Sequence, residues 1–144
     1  MSRHVARERA LQTLFQMDVN HMGVDEAAKA AQGMLEDSVF DLAFYRELLQ
    51  GVQEHQTAID QILAQYSEDW QVERMPGVDR NILRIAVQEM VYMEDIPHAV
   101  VMDEAVLLCK EFGTERSSVF VNGVLAAVLT DLQSLRLNAR KEES

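Results

Sequence analysis

The residues with the clearest chemical capacity stand at the start of the chain. Arg3, His4, Arg7 and Arg9 gather cationic side chains within the first nine positions. Cations of this kind attract phosphate, and guanidinium planes stack on unpaired bases. At about 100° per residue, Arg3 and Arg7 come close in angle, one helical turn apart. They share the side of the apolar residues that follow, so they are expected to project past the edge of the core toward a ligand. Arg9 points elsewhere. A helix N-terminus adds partial positive charge to such a site. Other chemistry is hard to find. His4, His21, His55 and His98 have no second His or Cys at a metal-ligand spacing such as i, i+4. Cys109 follows Leu107 and Leu108 and reads as a small core residue, not a nucleophile. No Gly-rich phosphate loop occurs, and Asp103, Glu104 and Glu115 read as carboxylates favoured at helix starts. No catalytic set, metal site or cofactor is expected.

The elements that must position these groups are helical. The 144 residues suit one domain, about half of them apolar, with only six glycines and two prolines. Helix-favouring Ala, Leu, Glu, Gln and Met are plentiful. The apolar spacing predicts a helix from Arg3 to Val19, capped by Ser2, with Ala10, Leu11, Leu14 and Phe15 on one stripe. A short helix is expected after Asp25, through Ala27, Ala28, Ala31 and Leu35. Ser38 is expected to cap a long helix carrying Tyr45, Leu48, Leu49, Val52, Ile59, Ile62, Leu63 and Tyr66, a pattern suited to the centre of a bundle. Trp70 is expected in one further turn before Met75-Pro76-Gly77 breaks the pattern. Asp79 is expected to start the next helix, and the one carrying Val101 to Phe112 to end at Gly113 in a left-handed cap. The last begins near Glu115–Ser118. This makes an all-α fold of six or seven helices in two packed bundles, one domain over 1–137 with a polar, frayed tail over 138–144. No apolar run approaches the roughly 20 residues that span a bilayer. A lone cysteine and the absence of a signal-peptide pattern suit a reduced, cytoplasmic setting without membrane contact.

Charge is unevenly spread. The chain carries a formal −11, which by itself argues against phosphate binding. Yet residues 1–17 hold three Arg and one Glu, whereas residues 18–73 hold twelve acids and two bases. A mildly basic N-terminus is attached to an acidic body, so the mean says little about any one surface.

Three blocks of sequence resemble the bacterial NusB family. They are Ala6-Arg7-Glu8-Arg9-Ala10-Leu11-Gln12-Thr13-Leu14-Phe15-Gln16-Met17-Asp18; Val78-Asp79-Arg80-Asn81-Ile82-Leu83-Arg84-Ile85-Ala86 with Glu89 after it; and Ile96-Pro97, Asp103-Glu104-Ala105-Val106, Phe112-Gly113 and Phe120-Val121-Asn122-Gly123-Val124-Leu125. The resemblance covers nearly the whole chain. It implies a two-bundle helical fold and a role in transcription antitermination. Such proteins pair with NusE, a ribosomal protein, and the pair grips single-stranded boxA RNA of nascent transcripts, notably from ribosomal RNA operons, in a complex with RNA polymerase.

The resemblance also implies an RNA surface. Arg3, His4 and Arg7 match its arginine-containing N-terminus, although Val5 interrupts and His4 stands where an arginine is usual. Phe120 matches an aromatic near the RNA at the start of the last helix. A first-turn aromatic can offer a stacking face, though it can equally be a core residue. Val119 replaces a common basic residue, for which Arg116 could compensate. Phe15 reads as core, and Asn122 and Gly123 as helix-packing residues. The acidic body would attract a basic partner such as NusE, with Asp79 a weak contact candidate whose simpler role is an N-cap. Self-association into a homodimer is a further possibility. Two other readings stand beside this one. One is an acidic helical scaffold that binds only proteins. The other is a detached accessory domain of an RNA methyltransferase, although 144 helical residues leave no room for the catalytic unit.

Overall fold

The computed structural model describes residues 2–21, 23, 25–27, 40–68 and 70–143. The expected positions Ala28, Ala31, Leu35 and Ser38 lie outside the described residues. Helix α1 runs Arg3–Asn20 and α2 runs Leu42–Tyr66. A 3-10 turn at Val72–Arg74 leads into α3, Gly77–Val87, which continues as a π-helical segment, Gln88–Tyr92. Then come α4, His98–Phe112; α5, Ser117–Thr130; and α6, Leu132–Glu143. Among the described residues the only β pairing is an isolated bridge between Ser2 and Phe40.

Local chemistry explains the boundaries. The Ser2 hydroxyl accepts from the Val5 amide at 3.1 Å, capping α1 as expected. The α2 cap is Asp41, whose carboxylate accepts from the Phe44 amide at 3.1 Å. Helix α3 starts at Gly77, directly after Pro76, so Asp79 is a first-turn residue and not the cap. Gly113 ends α4 with φ −97°, outside the left-handed region. Its small size matters for another reason: a Cβ there would stand 2.5 Å from Ser117 Oγ, so glycine lets α5 turn back closely. The single last helix expected from the sequence is two, bent by 73° at Asp131. The tail is also corrected. It is helical to Glu143, because Ala139 is buried and His55 Nε2 meets Glu143 Oε1 at 3.1 Å.

The core wraps α2, which is about 37 Å long at 1.5 Å per residue. Helices α1, α3 and α5 pack against it, and α4 packs on α3 and α5. Leu48, Val52, Ile59, Leu63, Ile82, Leu83, Val87, Met90, Val121, Leu125 and Val128 are fully buried. The π segment crosses α2 at Gly51, where a Cβ would stand 2.1 Å from Gln88 Nε2. Arg136 of α6 donates to the Met90 carbonyl at 2.9 Å, satisfying a backbone acceptor within the π segment.

Polar ties set the direction of α1 against α3. Asp18 accepts from Arg80 Nη2 and Asn81 Nδ2, both at 2.9 Å, and Arg84 bridges Asp18 to Asp60 of α2. At the other end of α1, Arg7 meets Glu89. The C-terminal end of α1 therefore lies beside the start of α3, while its N-terminal end lies beside the π segment. Among the described residues, no single helix is long and apolar enough to cross a membrane.

Candidate nucleic-acid interface

The cationic cluster at the start of α1 is real but largely committed inside the protein. Arg3 and Arg7 share a face, as their spacing predicts. Their guanidinium carbons stand 4.5 and 5.0 Å from the centre of the Phe44 ring. Arg3 remains exposed, 3.7 Å from Asp41. Arg7 does not project toward a ligand. It is 3% exposed and grips Glu89, itself 1% exposed. Arg7 Nε donates to Glu89 Oε2 at 2.9 Å, and Nη2 donates to Oε1 at 2.6 Å. Burial raises the Glu89 carboxyl above its ordinary range, and the Arg7 hydrogen bonds pull it back. Buried and paired in this way, the Arg7 guanidinium is not presented to a phosphate at the surface, contrary to the projecting arginine expected from its spacing.

His4 is also engaged. Its Nδ1 lies 2.5 Å from Glu104 Oε2, and its Nε2 lies 2.9 Å from Glu8 Oε1 and 3.1 Å from Glu111 Oε1. Three carboxylates repel phosphate, which removes His4 from the phosphate contacts as well. The Glu104 hydrogen bond raises the His4 pKa above 6.5, against burial, which lowers it. A raised histidine pKa contributes stability that is full below the unfolded value and fades as pH rises through the folded one. His4→Asn is therefore expected to lower the melting temperature more at about pH 6 than at about pH 9. Melting curves of both proteins in chelator-treated buffer check this, and a gap that is constant or widens with pH would contradict it.

The second candidate group sits elsewhere. Phe120, on the first turn of α5, packs on the core edge with its ring 5.6 Å from that of Trp70, at 59°. A shallow groove of about 340 Å³ runs here between Tyr66, Trp70, Phe120, Val124 and Ala127. Trp70 is 50% exposed, and Val119 beside it is 79% exposed. Arg116, at the N-cap of α5, and Arg74, in the 3-10 turn, are both exposed. Gly123 lines this groove, and Asn122 is exposed on another face of α5, so neither serves close helix packing as expected. The floor of the groove is held by Tyr66, whose hydroxyl donates to Asp131 at 2.7 Å.

Phe15 is 38% exposed, so it is a surface residue more than a core one. A Cβ on Gly77 would stand 3.1 Å from its ring, which places Phe15 at the start of α3. Phe120 lies near that same end, because Ser117, one turn before it, donates to Asp79 at 2.7 Å. Asp79 is 6% exposed and occupied by this bond, which withdraws it as a partner contact. Cys109 is buried nearby, and burial with the Asp79 charge pushes its thiol up to about 12, so it is no nucleophile at neutral pH.

One compact corner of Arg3, Arg7 and Phe120 does not exist. Arg3 lies over Phe44 at the start of α2, while Phe120 shares a groove with Tyr66 at its end. About 33 Å of helix separates those two positions. The fold instead gathers Phe120, Trp70 and Tyr66 around the end of α2, with Arg116 one turn before Phe120, and leaves Arg3 at the start of α2. Trp70 is the residue sequence reasoning missed. A lone tryptophan between a helix end and a Met-Pro-Gly break is a candidate for partial exposure, and that was the available signal.

The molecule is thus an all-helical protein of two bundles sharing one long helix. The chain belongs to the NusB family, whose model matches residues 4–130. A transcription antitermination protein NusB from Bacillus subtilis is 44% identical over 92% of this chain and 98% of its own length. The protein of that name from Geobacillus kaustophilus is 49% identical over 92% of this chain and 99% of its own. Among solved structures, NusB of T. maritima superposes with TM-score 0.79 at 30% identity, over 91% of this chain and 92% of that one. A NusB chain in a complex of antitermination factors NusB and NusE with dsRNA superposes with TM-score 0.79 at 26% identity, covering 90% and 98%.

Proposed function

We propose that this chain is an RNA-binding transcription antitermination factor. It pairs with a NusE-type ribosomal protein on boxA-like single-stranded RNA of nascent transcripts, notably of ribosomal RNA operons. It acts in the cytoplasm, in a complex with RNA polymerase. The observation that carries this reading is likeness, over 90% of this chain, to a NusB chain in a complex with NusE and dsRNA. The aromatic groove gives the likeness a physical basis: exposed Trp70 and partly exposed Phe120 offer stacking faces, and exposed Arg116, one helical turn before Phe120, and Arg74, four residues after Trp70, are the cations closest to them in the chain. Arg3 is the remaining exposed cation of the N-terminal cluster.

The charge of −11 shapes how binding must work. Few cations face the RNA, so the chain alone is a weak binder, and a basic partner drawn to the acidic body supplies the missing attraction. An RNA titration over several salt concentrations, with and without NusE, tests the reading. Selective binding to boxA-like RNA is expected, tighter with NusE present. Arg3→Ala and Arg116→Ala are each expected to flatten the salt slope by about 0.7, the value for one lost phosphate contact on a single strand. Absence of any RNA preference in either condition would leave an acidic protein scaffold as the better reading.

A further inference from the structure

We propose that His4, Glu8 and Glu111 form a binding site for one divalent transition-metal ion of the Zn2+ type, with Glu104 orienting the imidazole. The site lies between the first turns of α1 and the last turns of α4, shares no residue with the aromatic groove, and does not depend on RNA binding. His4 and Glu8 stand one turn apart on α1, and Glu104 and Glu111 two turns apart on α4. Their three ligand atoms, His4 Nε2 and one oxygen each of Glu8 and Glu111, all lie within 4.8 Å of one another.

Three features favour an ion over a simple hydrogen-bond cluster. First, His4 Nε2 faces two carboxylate oxygens, at 2.9 and 3.1 Å. One N–H can point well at only one of them, whereas a central cation satisfies all three atoms. Second, those separations suit ligands about 2.0–2.1 Å from a shared Zn2+, which stand roughly 2.9–3.4 Å apart. Third, the Nδ1 side is fixed by Glu104 at 2.5 Å. A carboxylate there holds the proton on Nδ1 and turns the Nε2 lone pair toward the ion, as outer carboxylates do for metal-bound histidines. One nitrogen with two carboxylate oxygens suits Zn2+ better than Mg2+, which prefers oxygen ligands and keeps its water. Of the neighbouring cations, Arg7 is committed to Glu89, with Nη1 3.9 Å from Glu104, and the charge of Arg9 acts on Glu8.

Binding would join α1 to α4, so it should be visible in both affinity and stability. Calorimetric titration of the full-length chain with ZnCl2 near neutral pH is expected to show one ion per chain, with a rise in melting temperature. Glu111 is a surface residue, so Glu111→Gln should fold normally and bind Zn2+ at least about tenfold more weakly. Glu104→Gln should weaken binding about 10- to 100-fold through the imidazole it orients. His4→Asn should abolish the site, and excess Mg2+ should leave the Zn2+ isotherm unchanged. Failure to bind, unchanged affinity in Glu111→Gln, one ion still bound by His4→Asn through His21, His55 or His98, or displacement by Mg2+ would each overturn the proposal.

Discussion

Replacing Arg7 with alanine is expected to lower the free energy of unfolding by about 3–5 kcal/mol, the cost of leaving one member of a buried ion pair without its partner. For a chain of this size that is on the order of 10 °C in melting temperature. Glu89 would remain almost fully buried with three hydrogen bonds lost. Because burial raises its pKa, its ionisation adds no stability of its own as pH rises. Replacing both partners, Arg7→Met with Glu89→Leu, is expected to recover most of the loss, since two apolar side chains of similar size remove the desolvation cost together. The double variant also separates stability from binding. If Arg7 only holds α1 on the π segment, the double variant binds RNA as the parent does. Chemical denaturation and RNA titration of the three proteins check both points. A stable Arg7→Ala protein with lost RNA affinity would mean that the guanidinium faces the ligand after all.

Arg7 also shows where a linear chain stops being informative. The α1 stripe, its Ser2 cap and the central role of Tyr45 to Tyr66 follow from spacing of 3 to 4 residues, which is a local property. The partner of Arg7 lies 82 positions away, and no local rule connects them. The pair does leave a trace. Arg7 sits on the apolar side of one helix with Ala6, Ala10 and Leu14, and Glu89 follows the apolar run Ile82, Ile85 and Ala86. A cation and an acid, each on an apolar stripe, have reason to find one another, because neither is buried cheaply alone. The same logic covers Asp79 with Ser117 and Asp18 with Arg80 and Arg84.

The bend at Asp131 was less readable. Val121 to Leu132 keeps a helical apolar period straight through it, and only tertiary contacts of α6 with the π segment, including Arg136 on Met90, show why the chain turns. The His4 site was missed for a simpler reason. Its i, i+4 partner is Glu8, and a search restricted to His and Cys ligands passes over a carboxylate. The aromatic end escaped because Trp70 and Phe120 meet only once α2 has ended and α5 has begun.

The groove at that end yields the prediction that bears most directly on function. Phe120→Leu and Trp70→Leu are each expected to weaken boxA-like RNA binding, measured with NusE present, by about 5- to 150-fold, corresponding to about 1–3 kcal/mol per stacked base. Leucine is chosen over alanine because Phe120 packs on the core edge. Leucine keeps most of that contact and removes only the π face, so folding stability should change by less than about 1.5 kcal/mol. Trp70 is half exposed, so its replacement should cost less still. Stacking is not ionic, so both variants should lower affinity at every salt concentration without changing the salt slope. Arg3→Ala and Arg116→Ala should do the reverse and flatten it. That contrast separates a stacked base from a phosphate contact in one set of titrations. If both leucine variants bind RNA as the parent does, the Trp70–Phe120 groove holds no base, and any RNA must be held through cations such as Arg3 and Arg116 alone.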